Sequence, residues 1–394
     1  MTHYLIVGNG VAGTTAAEHL RKQDPQGEIT LITDEDLPFY WRIQLNDLIA
    51  GETSEKKLLA KSRSWYNEQR VRLMLETRIT GADPGGKTLT SADGDTYAYD
   101  ILLLATGSHS FVPPIQGSDK GGVFTLRNVR DARAIRDRAT GIQEAVLIGG
   151  GLLGLEAGNA LRKLGKQVTV VEFFPRLLPR QLDDYGAARL QALMEGMGFA
   201  FRLGAKTQEI TGTDTAEGVR LEDGEILDSG MVVISAGVRP NLELAQALGL
   251  EMDKGVQVDE QLRTSRPEVF AAGDVAEFRG IPYGIWPAAM EQGRIAGTNM
   301  GGGNATYDGT SMANTLKVVG IDLASAGDID ADGEYEATTR ETGEVYQKVV
   351  FNQGRIIGCI MLGDTKGFDR ITKAMKDKDD VSARKDRILD EWAS

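Results

Sequence analysis

Continuous apolar runs at Tyr4-Leu-Ile-Val7 and Ala145-Val-Leu-Ile148 each lead into a glycine-rich turn and then into a stretch with helical spacing. Helices are predicted over Thr14–Lys22 after the first turn and Leu155–Leu164 after the second, the latter stopped by Gly165. Each is followed by a further apolar strand. Glu28-Ile-Thr-Leu-Ile-Thr33 ends in Asp34 and Glu35, and Gln167-Val-Thr-Val-Val171 ends in Glu172. Unbroken apolar strands alternating with helices predict a parallel sheet with both faces covered.

The first unit does not finish before the second begins. A helix is predicted at Ser62–Gln69, a short strand at Val71–Leu75 and a hairpin at Lys87–Tyr97, after which the buried strand Tyr99–Leu104 ends at Ala105-Thr-Gly107. The second unit closes in the same way, with Met231-Val-Val-Ile-Ser235 followed by Ala236-Gly-Val-Arg-Pro-Asn241. LLLATGS and VVISAGV thus form an internal repeat of one plan. Val269-Phe-Ala-Ala-Gly-Asp274 reads as a strand returning to the first sheet, and a helix beginning near Ala288 runs to Met300.

Gly301–Ala305 marks a boundary. Beyond it Leu316–Val319, Val345–Phe351 and Arg355–Leu362, with a turn at Asn352–Gly354, predict an antiparallel sheet. The mixed-charge tail Lys373–Arg387 predicts a solvated helix. The expected fold class is α/β: two Rossmann-like three-layer dinucleotide-binding domains, the second inserted in the first, plus a C-terminal α+β domain. The expected boundaries are residues 1–110 and 241–305 for the first domain, 111–240 for the second and 306–394 for the third.

Both turns obey G-x-G-x-x-G, with Gly8, Gly10 and Gly13 in one and Gly149, Gly151 and Gly154 in the other. In such a motif the first glycine makes the tight turn, the second admits a pyrophosphate and the third lets the helix pack on the strand. The helix N-terminus then faces the anion with unpaired N–H groups. A carboxylate about 20 to 27 residues further on accepts hydrogen bonds from a ribose diol.

Composition narrows the function classes. The 394 residues carry a formal charge of −13, which argues against general nucleic-acid binding. No apolar stretch is long enough for a membrane span and the N-terminus enters a strand at once, so the expectation is a cytoplasmic protein without membrane association. One cysteine, Cys359, excludes an intramolecular disulfide or a C-x-x-C pair within the chain. His3, His19 and His109 read as strand entry, helix face and loop, and no metal-ligand cluster is expected.

The ordered set GNGVAG, LLLATGS, GGGLLGLE, SAGVRPN and VFAAGDVA resembles the FAD-dependent pyridine nucleotide-disulfide oxidoreductases. LPFYWRIQL, LKVVGIDLASAG and VYQKVVF are most similar to the NADH:rubredoxin oxidoreductases and the flavin part of nitrite reductase large subunits. The resemblance implies FAD in the interrupted first unit and NADH in the inserted one. It assigns Gly8, Gly10, Ala12 and Gly13 to the FAD pyrophosphate loop, Asp34 or Glu35 to the adenosine ribose, Arg42 to the flavin side and Ile79 to a backbone contact with adenine. Ala105, Thr106 and Gly107 become the turn crossing the cofactor, and Gly273 and Asp274 the ribityl-binding segment. Ala288 and Ala289 open the helix whose dipole faces flavin N1/O2. For NADH it assigns Gly149, Gly151, Leu152, Leu153 and Gly154 to the pyrophosphate, Glu172 to the ribose and Gly237 to the nicotinamide half. Glu172 repels a 2′-phosphate, which favours NADH, while Arg176 keeps NADPH in view.

Two departures follow. Some relatives pair a lysine with the glutamate matching Glu156. Here Asp47 takes the lysine's place, so Glu156, the candidate catalytic side chain beside flavin and nicotinamide, is expected to have an elevated pKa if buried. Phe39, Tyr40, Trp41 and Arg42 stand where other members carry a reactive cysteine, so a flavin-to-disulfide relay is not expected. The expected activity is hydride transfer from NADH to FAD, then electron transfer to a small redox protein such as rubredoxin. An NADH oxidase forming peroxide and an FAD- and NADH-binding redox sensor are the alternatives, and the resemblance leaves monomer and homodimer open. Arg127, Arg130, Arg133, Arg136 and Arg138 offer a positive face to an acidic carrier, or form an exposed helix of solvated arginines.

Overall fold

The computed structural model describes residues 1–310 and 314–392. These form an α/β fold with two parallel sheets of one plan and a C-terminal antiparallel sheet. They group into two compact units, one of Met1–Leu45, Thr53–His109 and Val238–Ser311, the other of Asn46–Glu52, Ser110–Gly237 and Met312–Ser394.

In the first unit the parallel sheet runs in the order Val269–Ala271, Ile101–Leu104, His3–Val7, Glu28–Ile32, Val71–Met74. Central His3–Val7 is buried from its second residue on, as its apolar run requires. Val7 stands opposite both Leu104 and Ile32, so three strand ends reach the same level. The return strand predicted at Val269 joins this sheet beside Ile101–Leu104. An antiparallel sheet of Ile79–Asp83, Thr88–Ser91 and Thr96–Ala98 completes the segment predicted as a hairpin.

The first helix spans Val11–Gln23, three residues earlier than predicted, because Gly10 is its N-cap and the helix starts inside the glycine motif. Helix Trp286–Met300 packs on it at backbone distance. A Cβ on Gly293 would come 2.4 Å from Ala12 O, and one on Gly297 2.2 Å from Ala16 O. Two glycines one turn apart therefore fix this helix against the first.

The second unit repeats the sheet as Phe199–Leu203, Gln167–Glu172, Glu144–Ile148, Met231–Ile234, Val123–Phe124. Its glycine-turn helix is Leu152–Lys163, again begun within the motif. The C-terminal sheet has the order Asn314–Val318, Ile321–Gly327, Arg355–Leu362, Val345–Asn352, Glu336–Thr342, so two strands join the three predicted.

The tail corrects the prediction of one solvated helix. Helix Phe368–Asp377 buries Phe368, Ile371 and Ala374 in the core of this sheet and stops at Lys378, which has φ +56°. A 3-10 turn at Lys385–Arg387 and a helix at Ile388–Trp392 follow, with Ile388 and Leu389 also buried. Apolar residues at helical spacing on one face outweigh the charges on the other. Four of the five arginines, Arg130, Arg133, Arg136 and Arg138, lie on helix Val129–Ala139 and Arg127 precedes its N-cap; the helix is not wholly solvated, for Arg138 donates from Nε and Nη2 to Gly230 O at 3.0 and 2.9 Å.

Candidate functional site

The two glycine turns have the same geometry. Gly8 has φ +115°, and a Cβ there would lie 2.0 Å from Ala105 O; Gly149 has φ +117°, with Ser235 O at 2.2 Å. A Cβ on Gly13 would meet Gly8 O at 1.9 Å, and one on Gly154 would meet Gly149 O at 2.4 Å. Gly10 and Gly151 have nothing within 4 Å of a Cβ position, so the middle of each turn is open. Neither helix carries a side-chain N-cap, which leaves its first N–H groups for a ligand.

Around the first turn, Ala12 is buried at the start of the helix. Asp34 is exposed beyond the second strand, whereas Glu35 is bound by Arg42 and by the Tyr40 hydroxyl. Burial works against the Arg42 charge, and Glu35, Tyr40 and Asp274 more than offset it, so the guanidinium pKa is raised. Ile79 opens its antiparallel strand two residues after Thr77, whose N–H donates to Thr33 O at 2.9 Å.

The crossing turn is held by Asn241. Its Nδ2 donates to Thr106 O at 2.7 Å, its N–H donates to Gly107 O at 3.0 Å, and its O accepts from Thr106 Oγ1 at 3.2 Å. Gly107 has φ +67°. His109, predicted in a loop, lies in the short strand Ser108–Ser110 and its Nδ1 is 2.7 Å from Asn241 Oδ1. Ser108 Oγ donates to Asp274 Oδ2 at 2.8 Å, and Gly273 N–H donates to Gln292 Oε1 at 2.8 Å. Ala288 and Ala289 are buried in the first turn of helix Trp286–Met300, which has no side-chain cap. Trp286 stacks on Phe39 and on Trp41 with centroids 5.9 and 5.3 Å apart, and Phe39 meets Trp41 at a tilt of 49° and 6.1 Å.

Asn9 supplies a test of fit for a bound group at this turn. The residue is 8% exposed and its Oδ1 accepts from Tyr66 Oη at 2.8 Å and Thr14 Oγ1 at 3.2 Å, yet its Nδ2 has no partner. A buried amide donor beside an open turn and an uncapped helix fits an acceptor-rich ligand such as a dinucleotide.

In the second turn, Leu152 and Leu153 begin the helix, with Leu153 53% exposed. Glu172 is buried, and accepts from Gly150 N–H at 2.5 Å through Oε2 and from Phe174 N–H at 2.8 Å through Oε1. A carboxylate keeps further lone pairs when two are used. A Cβ on Gly150 would press on both sides of this contact, 2.9 Å from Leu177 Cδ2 and 3.1 Å from Glu172 Oε2. Arg176 is turned to Asp184 at 2.8 Å. Gly237 has φ +97°, and its O accepts from Phe111 N–H at 2.9 Å.

Glu156 lies on the same helix. Its Oε1 accepts from Val319 N–H at 2.7 Å, in the turn before strand Ile321–Gly327. Burial raises its pKa, Val319 and Lys163 act against the rise, and Asp47 adds to it. Burial likewise raises Asp47, reinforced by Glu52. Lys163 pairs with Glu52 at 2.8 Å. Cys359 is fully buried, and burial pushes its thiol up to about 12. Among the described residues no cluster of histidine, cysteine, aspartate or glutamate could hold a metal, and no helix is long and apolar enough to cross a membrane.

Residues 2–293 match the model of the pyridine nucleotide-disulphide oxidoreductases. The chain belongs to that family. Residues 313–379 match the C-terminal domain of rubredoxin NAD+ reductases. The chain is 34% identical over 382 residues to a nitrite reductase [NAD(P)H] of Bacillus subtilis (strain 168), covering 96% of this chain and 48% of that one, so it spans about half the length of that relative. It is 33% identical to a rubredoxin-NAD(+) reductase of Pseudomonas putida, over 90% of this chain and 94% of the other. The solved NADH:rubredoxin oxidoreductase of Clostridium acetobutylicum superposes with a TM-score of 0.84 at 28% identity, covering 96% of each chain. The family comprises oxidoreductases whose members of the rubredoxin reductase and NADH oxidase kinds bind FAD and NADH.

Sequence reasoning missed Asn9, Asn241 and Ser108. Asn9 is the variable residue inside a glycine motif, where position alone carries no chemistry. Asn241 and Ser108 act across more than 130 residues of chain, and only the repeat of the two strand ends hinted at their proximity.

Proposed function

We propose that this chain is an FAD-dependent NADH reductase that passes hydride from NADH to FAD and then electrons to a small redox protein such as rubredoxin. Residues 1–110 and 241–305 form the FAD domain, residues 111–240 the NADH domain, and residues 306–394 a C-terminal α+β interface domain. The observation that carries the reading is the matched pair of open glycine turns, one with Asp274, Ser108 and an uncapped helix beside it, in a chain whose lone thiol is buried. Bound FAD supplies the conversion of a two-electron donor into single electrons.

The chain's own residues bind, orient and polarise. Gly8, Gly10, Ala12 and Gly13 receive the FAD pyrophosphate, with the Asn9 amide as an added donor, and Asp34 accepts from the ribose. Glu35 serves the flavin side indirectly by holding Arg42. Ile79 presents its backbone to the adenine, while Ala105, Thr106 and Gly107 cross the cofactor in the conformation that Asn241 sets. Ser108 orients the Asp274 carboxylate toward the ribityl hydroxyls, and Gly273 lets the chain pass close to Ala12. The N-terminal turn of helix Trp286–Met300, at Ala288 and Ala289, stabilises negative charge on the ring.

In the second domain Gly149, Gly151, Leu152, Leu153 and Gly154 receive the NADH pyrophosphate, Glu172 the ribose, and Gly237 lines the nicotinamide half. NADH is preferred to NADPH because Glu172 is anionic and Arg176 is engaged by Asp184. A buried Cys359 offers no thiolate to a relay within the chain, which leaves an acceptor outside it, a carrier protein or oxygen. The test is steady-state turnover of the flavin-loaded protein with NADH and, in turn, rubredoxin, ferredoxin and oxygen. Rubredoxin or ferredoxin reduction far faster than oxygen consumption supports a carrier reductase. Peroxide formation as fast as any carrier reduction establishes an oxidase instead, and bound flavin without turnover a sensor.

A further inference from the structure

Strands Asn314–Val318 and Ile321–Gly327 pair antiparallel with Val318 opposite Ile321, so Val319 and Gly320 alone make the turn between them. Both have positive φ, +57° and +87°, as a two-residue type I′ hairpin requires. Such turns favour Asn-Gly, and a β-branched residue in the left-handed region is an outlier. Strain of this kind persists where the surroundings hold it and collects at functional sites. Val319 is buried, and its N–H donates to Glu156 Oε1 at 2.7 Å.

Glu156 is half-buried on helix Leu152–Lys163, two residues past the last glycine of the second turn. It lies in the same compact unit as Val319. The charged groups that act on it are Asp47 and Lys163, and Lys163 is drawn to Glu52 at 2.8 Å. Burial and Asp47 disfavour the ionised carboxylate, whereas the Val319 N–H favours it, because a donor bonded to the charged form stabilises that form.

We infer that Val319 is a positioning residue for hydride donation: its N–H aims the Glu156 carboxylate, so the hairpin turn of the C-terminal sheet belongs to the nicotinamide site. The inference rests on the reading that Glu156 faces the nicotinamide of bound NADH. When hydride leaves C4 of the dihydronicotinamide with its electron pair, the ring becomes a cationic pyridinium. An ionised carboxylate held nearby stabilises that charge as it develops, and a protonated one does not. The strained valine puts a backbone donor where the carboxylate needs one.

The experiment measures NAD+ affinity by calorimetry and, by stopped-flow absorbance, the rate at which NADH bleaches the flavin, each in flavin-loaded protein from about pH 5 to about pH 9. Wild type is expected to bind NAD+ more tightly and to react faster as pH rises through the Glu156 titration, and Glu156→Gln to lose both dependences. Val319→Pro and, separately, insertion of one glycine after Val318 take the N–H from the carboxylate. Both are expected to move the two midpoints up by about one pH unit or more, the effect of losing a hydrogen bond to a charged group. Val319→Asn suits the left-handed turn and keeps the N–H, so it is expected to retain the wild-type midpoints. Flavin content and melting temperature verify the fold. If neither disrupting variant folds, amide exchange at Val319 decides: it is expected to be about tenfold or more faster in Glu156→Ala than in wild type, and equal rates overturn the inference. Unshifted midpoints in a folded disrupting variant overturn it and leave the placement of Glu156 standing. Identical pH profiles for wild type and Glu156→Gln overturn both.

Discussion

Lys348 Nζ donates to Asp183 Oδ2 at 3.1 Å, with each side chain only 9% exposed. Tyr346 Oη donates to the same oxygen at 2.7 Å, and Asp183 Oδ1 caps helix Asp184–Gly196 by accepting from Gly186 N–H at 2.9 Å. The ammonium also reaches Asp330 O at 2.8 Å. A single carboxylate therefore joins a helix of the second glycine-turn sheet to strand Val345–Asn352 of the C-terminal sheet, and both lie in one compact unit.

Breaking this pair from one side leaves a buried charge. Lys348→Met is expected to destabilise the protein by about 3–5 kcal/mol, the cost of an orphaned buried ion. Asp183→Asn combined with Lys348→Met is expected to recover the part of the loss that comes from Asp183, since asparagine still caps the helix, and not the part that comes from Asp330, whose Oδ2 lies 4.0 Å from the ammonium. Urea midpoints of the three proteins check this. A loss in Lys348→Met below about 1 kcal/mol would show that the pair is solvated.

The paired turns predict separable defects. Gly8→Ala introduces a Cβ that collides with Ala105 O at a positive φ, and Gly149→Ala does the same against Ser235 O. A left-handed backbone costs an alanine about 1–2 kcal/mol before the collision is counted. Gly8→Ala is expected to purify with a small fraction of the wild-type flavin. Gly149→Ala is expected to keep its flavin and weaken NADH binding by about tenfold or more, the effect of roughly 1.4 kcal/mol. Absorbance of the purified proteins and NADH titration distinguish the two, and loss of flavin in Gly149→Ala alone would reverse the assignment.

Both turns are legible in the sequence because glycine periodicity and unbroken apolar strands report directly on backbone and burial. Their difference is not. Asn9 fills the position of Gly150, and Thr33 the position of Glu172, so one turn is braced by a side chain inside it and the other by a carboxylate from the next strand. That exchange depends on register between strands, which a linear pattern does not carry. The tail misleads for a related reason: its charges are conspicuous, whereas Phe368, Ile371 and Ala374 declare a buried face only once a sheet lies under them. Glu156 has the raised pKa expected of it if buried, and Asp47 is raised beside it, but no linear pattern marks Val319 N–H as the partner of Glu156.

Glu156 makes a prediction about pH. Its pKa is raised in the folded protein, so its contribution to stability is complete below the unfolded value of about 4.3 and is lost as pH rises through the folded value. Gln at this position still accepts from Val319 N–H and does not titrate. Stability of wild type relative to Glu156→Gln is therefore expected to fall as pH rises from about 4.3, with a slope of at most about 1.4 kcal/mol per pH unit, and to level off above the folded pKa. Urea midpoints measured at several pH values test this. A constant difference across the range would mean that the carboxyl titrates normally.

Cys359 should be silent. With its thiol pushed up to about 12 and no exposed surface, it is expected to resist iodoacetamide at pH 8 in the folded protein and to react in urea. Cys359→Ala is expected to leave NADH turnover within about twofold of wild type, because no thiol takes part. Loss of turnover on rapid alkylation of the folded protein would place a thiol in the electron path.

The most direct test of the central claim is anaerobic stopped-flow absorbance of the flavin-loaded protein mixed first with NADH and then with reducible rubredoxin. A reductase of this kind is expected to show rapid bleaching of the flavin by NADH and rapid recovery of its colour on addition of the carrier. Protein that binds no flavin, or flavin that NADH bleaches and no carrier reoxidises, would contradict it.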